Sequence, residues 1–242
     1  MSFRLSRFSI FVGLVSIAVV AVLVSLGTWQ IQRRAWKHDL IARVEARVHA
    51  DPVQAPEQAK WLGFDAASEA YRRVFAVGTF AHDRETLVQA VTELGGGFWV
   101  MTPLVGADGA TILINRGFVP ADRREPAMGE ICRSAGETRV TGLLRVSEPR
   151  GGFLRANDPA KNRWYSRDVA AIAEARGLGP TAPYFIDADA TPNPGGYPVG
   201  GLTVVTFSDN HLVYALTWYV LALMAAAGGA YVIRDGMRSR AA

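Results

Sequence analysis

Cysteine is almost absent from this chain. The single Cys132 excludes an internal disulfide, a CxxC redox pair, a CxxCH haem attachment and a cysteine-ligated zinc. Histidine is scarce too, with four residues, none of them in an HExxH run. There is no P-loop and no GxSxG elbow, so common nucleotide and hydrolase chemistries find no motif. No basic stretch interleaved with aromatics points to nucleic acid. Internal repeats are missing. The expectation is a protein that is not an enzyme. A cysteine-poor domain is compatible with an oxidising compartment but does not require one.

Charge is missing from two long stretches. Residues 8–32 and 212–233 contain no Asp, Glu, Lys or Arg. A helix needs about 20 residues to cross roughly 30 Å of hydrocarbon, and both runs exceed that. Both are expected to be transmembrane helices. Arg4 and Arg7 form a basic leader and Ser25-Leu26-Gly27 offers a weak small-x-small site. The first run nevertheless exceeds the roughly 7–15 apolar residues of a signal peptide, so an uncleaved anchor is the better reading. It starts within eight residues of Met1, with no Arg/Ser-rich transit peptide before it, so a bacterial plasma (inner) membrane is expected.

Orientation rests on Lys and Arg beside the spans. The tails carry Arg4, Arg7, Arg234, Arg238 and Arg240, whereas Arg33, Arg34 and Lys37 pull the other way. Long loops cross largely regardless of charge. The expected organisation is therefore a cytoplasmic tail (1–7), a transmembrane helix (8–32), an extracytoplasmic, periplasmic domain (33–210), a second transmembrane helix (211–233) and a cytoplasmic tail (234–242). The basic residues beside the spans are also expected to meet anionic membrane lipid.

Between the spans, Trp36, Leu40, Val44 and Val48 recur every fourth residue, so the first helix should continue outward until Asp51-Pro52. Strands are predicted at 73–80, 86–91, 97–104, 110–118, 138–146, 163–166, 184–188 and 202–207, with turn signals such as Asp108-Gly109 between them. A helix is predicted over 168–176, with Ser166 or Asp168 as cap and Gly177 as stop. Residues 192–198 read as an ordered turn. The fold class is membrane α+β: two transmembrane helices flanking a mostly antiparallel β extracytoplasmic domain, a sheet or partial barrel.

Few residues offer chemistry. Asp187 and Asp189 alternate at a strand end and could share a face, though such pairs are commonly turn or surface residues. At the outer end of the first span, Leu26, Gln30, Arg33 and Lys37 share a helical face, with Trp29 beside it. These residues also suit a plain interfacial belt, in which Trp and Arg meet headgroups. His211 opens the second span, with Tyr214, Ala215 and Trp218 on its face. The two helices could present His211, Tyr214, Trp218, Trp29 and Arg33 to one outer-leaflet site. An imidazole suits haem iron as an axial ligand. Aromatic walls would cover the macrocycle, and a cation would pair with its carboxylates. The plainer alternative makes His211 an interfacial residue beside a cap at Asp209 or Asn210. Arg116 either fixes a loop by hydrogen bonds or marks a partner-binding edge.

Leu26-Gly27-x-Trp29-Gln30-x-x-Arg33-x-x-x-Lys37 resembles the N-terminal signature of the Surfeit-locus-one family of cytochrome oxidase assembly proteins. Asn210-His211-Leu212-x-Tyr214-Ala215-x-Thr217-Trp218-Tyr219 is similar to its C-terminal signature. Thr102-Pro103-Leu104, Asn115-Arg116-Gly117-Phe118-Val119-Pro120 and Gly195-Gly196-Tyr197-Pro198 also fit, in the family's order. Asp209 stands where Asn is common in relatives, and Phe118 where Trp is common; neither disturbs a proposed contact. The resemblance implies assembly of haem-copper cytochrome c oxidase, at or near insertion of haem a into subunit I. It implies transient haem a binding with His211 as ligand to the iron, and partners that include subunit I and haem a synthase. The alternative is a protein scaffold that stabilises an oxidase intermediate without touching haem. A straight first helix would put His38 about 9 Å beyond residue 32, at about 1.5 Å per residue, a poor second ligand beside His211.

Overall fold

A computed structural model of the chain describes residues 7–123, 136–149, 151–152, 155–203 and 209–238. Cys132, Arg4 and Arg240 lie outside the described residues. Two compact units emerge, one of Met1–Arg43 with Thr206–Ala242 and one of Val44–Val205. The membrane α+β class holds, with a long apolar helix at each end of the sequence and strands between.

The first unit is a helix pair. Helix α1 spans Arg7–Val48, 42 residues or about 63 Å at 1.5 Å per residue, about twice the hydrocarbon thickness. It continues past the charge-free run, as the fourfold spacing of apolar residues requires, and stops four residues before Pro52. The last helix, His211–Arg238, also passes the length and composition test for a membrane span. It is α4 in the numbering used below. Its buried positions are Ala215, Ala222 and Gly229, spaced by seven. Small side chains at heptad spacing let two helix backbones approach closely in lipid, where packing rather than hydrophobicity drives association. Gly229 meets Ser16, Gly236 meets Ser9 and Gly13 meets Ile233, so the helices run antiparallel.

The second unit is built on seven strands: β1 Val53–Gln54, β2 Arg73–Phe80, β3 Thr86–Thr92, β4 Gly95–Val105, β5 Thr111–Pro120, β6 Glu137–Val146 and β7 Thr181–Ala188. Their order is β1-β2-β6-β7-β5-β4-β3. Thr79 and Phe80 of β2 also pair with Val105 and Leu104 of β4. That pairing closes β2, β6, β7, β5 and β4 into a ring, with β3 hanging from β4 as a hairpin. Pairs β1–β2 and β5–β7 are parallel and the rest antiparallel. Along β2, buried Val74 and Ala76 alternate with Arg73, Phe75 and Val77, the period of a half-buried strand.

The ring interior holds Val74, Ala76, Leu104, Ile114, Val140, Leu144, Tyr184 and Ile186. A short helix α2, Ala66–Glu69, is capped by Asp65, which accepts from the Ala67 amide. Helix α3, Val169–Ala175, is capped by Asp168 and covers the other face of β5 and β7 with Val169 and Ile172 against Leu113 and Phe185. Strand β5 is therefore buried on both faces.

Most predicted strands match within a few residues, and two do not. Residues 163–166 form isolated bridges, Arg163 to Asp158 and Trp164 to Val88, because the segment meets β3 at one point only. Leu202 and Thr203 are not in a strand, and the remainder of that predicted strand lies outside the described residues. The bridge to β5 comes earlier, from Val199 to Phe118.

Candidate functional site

His211 is the first residue of α4, and its ring faces α1. Nδ1 lies 2.7 Å from Oε1 of Gln30. An amide oxygen only accepts, so Nδ1–H donates in this contact, and in the neutral ring the lone pair then lies on Nε2. Among the described residues Nε2 has no hydrogen-bond partner. One and two turns farther along α1, Arg34 and His38 reach Asp209. Its Oδ2 accepts from Arg34 Nε at 3.1 Å and pairs with His38 Nε2 at 2.7 Å. Its Oδ1 accepts the His211 backbone N–H at 3.1 Å. The bond to His38, opposed by partial desolvation and aided by the His211 amide and Arg34, lowers the Asp209 carboxyl from 3.8 to about 2.

The other residues proposed for this site are distributed around it. Arg33 stacks over the Trp36 ring at 4.1 Å rather than reaching toward α4. Trp29 and Tyr214 are each 55% exposed, and Trp218 is half-buried. One turn below Gln30, Gly27 is buried against Tyr219; a Cβ there would come within 2.7 Å of the Tyr219 ring. The Tyr219 hydroxyl lies 3.2 Å from Thr28 Oγ1. The glycine of the Leu26-Gly27-x-Trp29-Gln30 stretch is thus the place where an aromatic ring rests on a helix backbone. Among the described residues no three His, Cys, Asp or Glu side chains converge as a metal cluster.

In the β unit the motif residues of β5 anchor two buried polar clusters. Asp187, 3% exposed, accepts from Asn115 at 2.8 Å, Arg145 at 3.0 Å, Arg167 at 2.9 Å and Thr203 at 2.9 Å. The reading of Asp187 as a turn or surface residue is corrected: its strand is covered on both faces, and four donors compensate its burial. Asp189 lies just past the end of β7, is half-buried, and accepts the Thr191 backbone N–H at 3.0 Å. Burial alone would pull the Arg167 guanidinium down, but Asp187 and Glu148 together outweigh it and leave it above its ordinary value.

Arg116 fixes a loop. It is 2% exposed and donates to Asn193 Oδ1 at 3.1 Å and to Glu85 Oε1 at 3.2 Å. Glu85 also accepts from Thr102 at 2.9 Å and pairs with His82 at 2.8 Å. Gly117 takes φ +138°, and a Cβ there would strike the Val199 carbonyl, so Asn115-Arg116-Gly117 and the 193–199 loop are one packed assembly.

Comparison with known proteins settles the relationship. The profile of the SURF1 family matches residues 17–223, from within α1 to within α4. The chain belongs to the SURF1 family. Surfeit locus protein 1 of Homo sapiens is 40% identical over 213 residues, covering 81% of this chain and 69% of the relative. That of Rattus norvegicus is 38% identical over 219 residues, covering 84% and 69%. The SURF1-like protein of Drosophila melanogaster is 31% identical over 222 residues, covering 84% and 71%.

For this SURF1-family chain, sequence reasoning missed Arg34, His38 and Asp209 as a connected set. Arg34 and His38 are four residues apart, and a carboxylate stands just before His211. That combination was the available signal. Gln30 was placed on the right helix but not matched to His211.

Proposed function

We propose that this protein is an assembly factor for haem-copper cytochrome c oxidase, which receives or positions haem a for insertion into subunit I. The hydrogen bond from His211 Nδ1 to Gln30 Oε1 supports this reading. A histidine that ligates a metal commonly donates its other ring N–H to an oxygen, which fixes the tautomer and ring orientation. His211 has that partner, and its Nε2 lone pair is available to iron.

Haem a is cargo in this reading. His211 holds the iron, Trp29, Tyr214 and Trp218 supply apolar surface, and Arg33 supplies charge for the carboxylates. His38 is engaged with Asp209, so the chain brings one imidazole to the cargo. A single ligand is compatible with release as well as capture. The protein binds and hands over rather than catalyses. Subunit I is the acceptor, haem a synthase the donor, and anionic lipid meets the basic residues beside the spans. The basic tails favour cytoplasmic termini and a periplasmic β unit in a bacterial plasma membrane.

The test uses protein purified from membranes of cells that make haem a, as wild type and His211→Ala. Visible spectra and extraction of the haem should show haem a in the wild type and its loss in a folded variant. Absence of haem from both would replace this reading with the scaffold.

A further inference from the structure

Gln30, Arg34 and His38 recur every four residues on α1, so they line one face of that helix. All three point at the start of α4, but at different parts of it. Gln30 takes the ring of His211. Arg34 and His38 take the carboxylate of Asp209, whose other oxygen takes the His211 backbone N–H. His211 is therefore held at two points, the ring directly and the backbone through Asp209.

The two points matter because helix ends are loosely defined. The first N–H groups of a helix have no partner within it, so an uncapped first turn frays. A helix also turns by about 100° per residue, so a slip of one residue would swing the His211 side chain away from Gln30. A cap bonded only within its own helix stops fraying but leaves the helix free to slide against its neighbour. A cap bonded to the neighbouring helix prevents both. Asp209 is a cap of the second kind.

We propose that Asp209 is a positioning residue for the His211 imidazole: tied to Arg34 and His38 of α1, it sets the register of α4 so that the ring meets Gln30 and presents Nε2. The haem consequence rests on the proposed function; the positioning itself does not.

The experiment uses the full chain in lipid nanodiscs with 15N-labelled histidine, where the imidazole 15N shifts report the tautomer of His211. Assignment comes from His211→Ala. Wild type should show the Nδ1–H tautomer. Asp209→Ala should give a mixture of tautomers, and titration with haem a, followed in the Soret region, should weaken roughly tenfold. A double variant, Arg34→Met with His38→Phe, keeps the cap and removes both donors from α1 to Asp209. It should shift the tautomer in the same direction, and it decides the matter if Asp209→Ala does not fold. Asp209→Asn, which keeps an acceptor for the His211 amide, should recover part of the wild-type signal.

Wild-type tautomer in both Asp209→Ala and the double variant would overturn the proposal, and wild-type haem a affinity alongside it would leave the haem reading intact. A tautomer shift in the variants with no haem a binding by any sample would support the positioning role and overturn the haem reading instead.

Discussion

His211 Nδ1 and Gln30 Oε1 are 2.7 Å apart, although 181 positions separate them in the chain. This contact gives the imidazole a defined tautomer, and it joins the two stretches of sequence that most resemble the family's signatures.

Gln30→Leu should keep the volume at that position and remove the acceptor. Haem a affinity is expected to fall roughly tenfold, the usual consequence of losing a residue that orients a ligand. His211→Ala should abolish it. Soret titration of both variants measures the difference. Equal affinity in wild type and Gln30→Leu would show that the ring needs no orienting partner.

Gly27→Ala places a methyl group where Tyr219 now lies, 2.7 Å from its nearest ring carbon. Overpacking of this kind costs about 1–3 kcal/mol. The helix pair should become easier to denature, and Tyr219→Leu in the same chain should restore part of the loss. A double-mutant cycle on thermal unfolding in detergent checks this; additive effects would mean the two residues do not meet.

Arg116→Glu should destabilise the β unit rather than alter a surface. The change puts a carboxylate beside Glu85 and removes the donor to Asn193. Breaking a buried pair costs about 3–5 kcal/mol. Denaturant unfolding of the full chain, followed by tryptophan fluorescence, should show it. Wild-type stability combined with lost oxidase would instead make Arg116 part of a partner-binding edge.

Tyr184 predicts an alkaline limit. Burial raises its phenol well above the ordinary 10.0. Its hydroxyl donates to the Pro56 carbonyl at 2.7 Å. A pKa raised by folding means that this contribution is fully present below pH 10 and lost as pH rises through the folded value, because the unfolded phenol ionises first. Unfolding midpoints at pH 8 and 10.5 should therefore differ more for wild type than for Tyr184→Phe. An identical pH dependence for the two proteins would remove Tyr184 as its source.

Strand positions were legible from short apolar runs rich in β-branched and aromatic residues and bounded by turn signals. Residues 73–80 are such a run, and β2 has those bounds. Trp164 and its neighbours have strand-like composition but touch β3 at a single point, and composition does not reveal how many partners a segment finds. Asp187 was misread for a related reason. A lone acidic residue at a strand end looks solvated until Asn115, Arg145 and Arg167, from three separate segments, are seen around it.

The sequence by itself determined the two spans, the β-rich middle and the position of His211 at the start of the last helix. Each follows from local pattern: runs without charge, short strand-like runs between turn signals, and a capping residue before an apolar stretch. Only the tertiary structure decided which face of α1 meets His211. Gln30, Arg34 and His38 do so, whereas Arg33 turns to Trp36. Periodicity defines the faces of a helix but not its rotation against a neighbour. Here that rotation is set by the close packing of Ser16 on Gly229 and of Gly27 on Tyr219, contacts made only when the two ends of the chain come together.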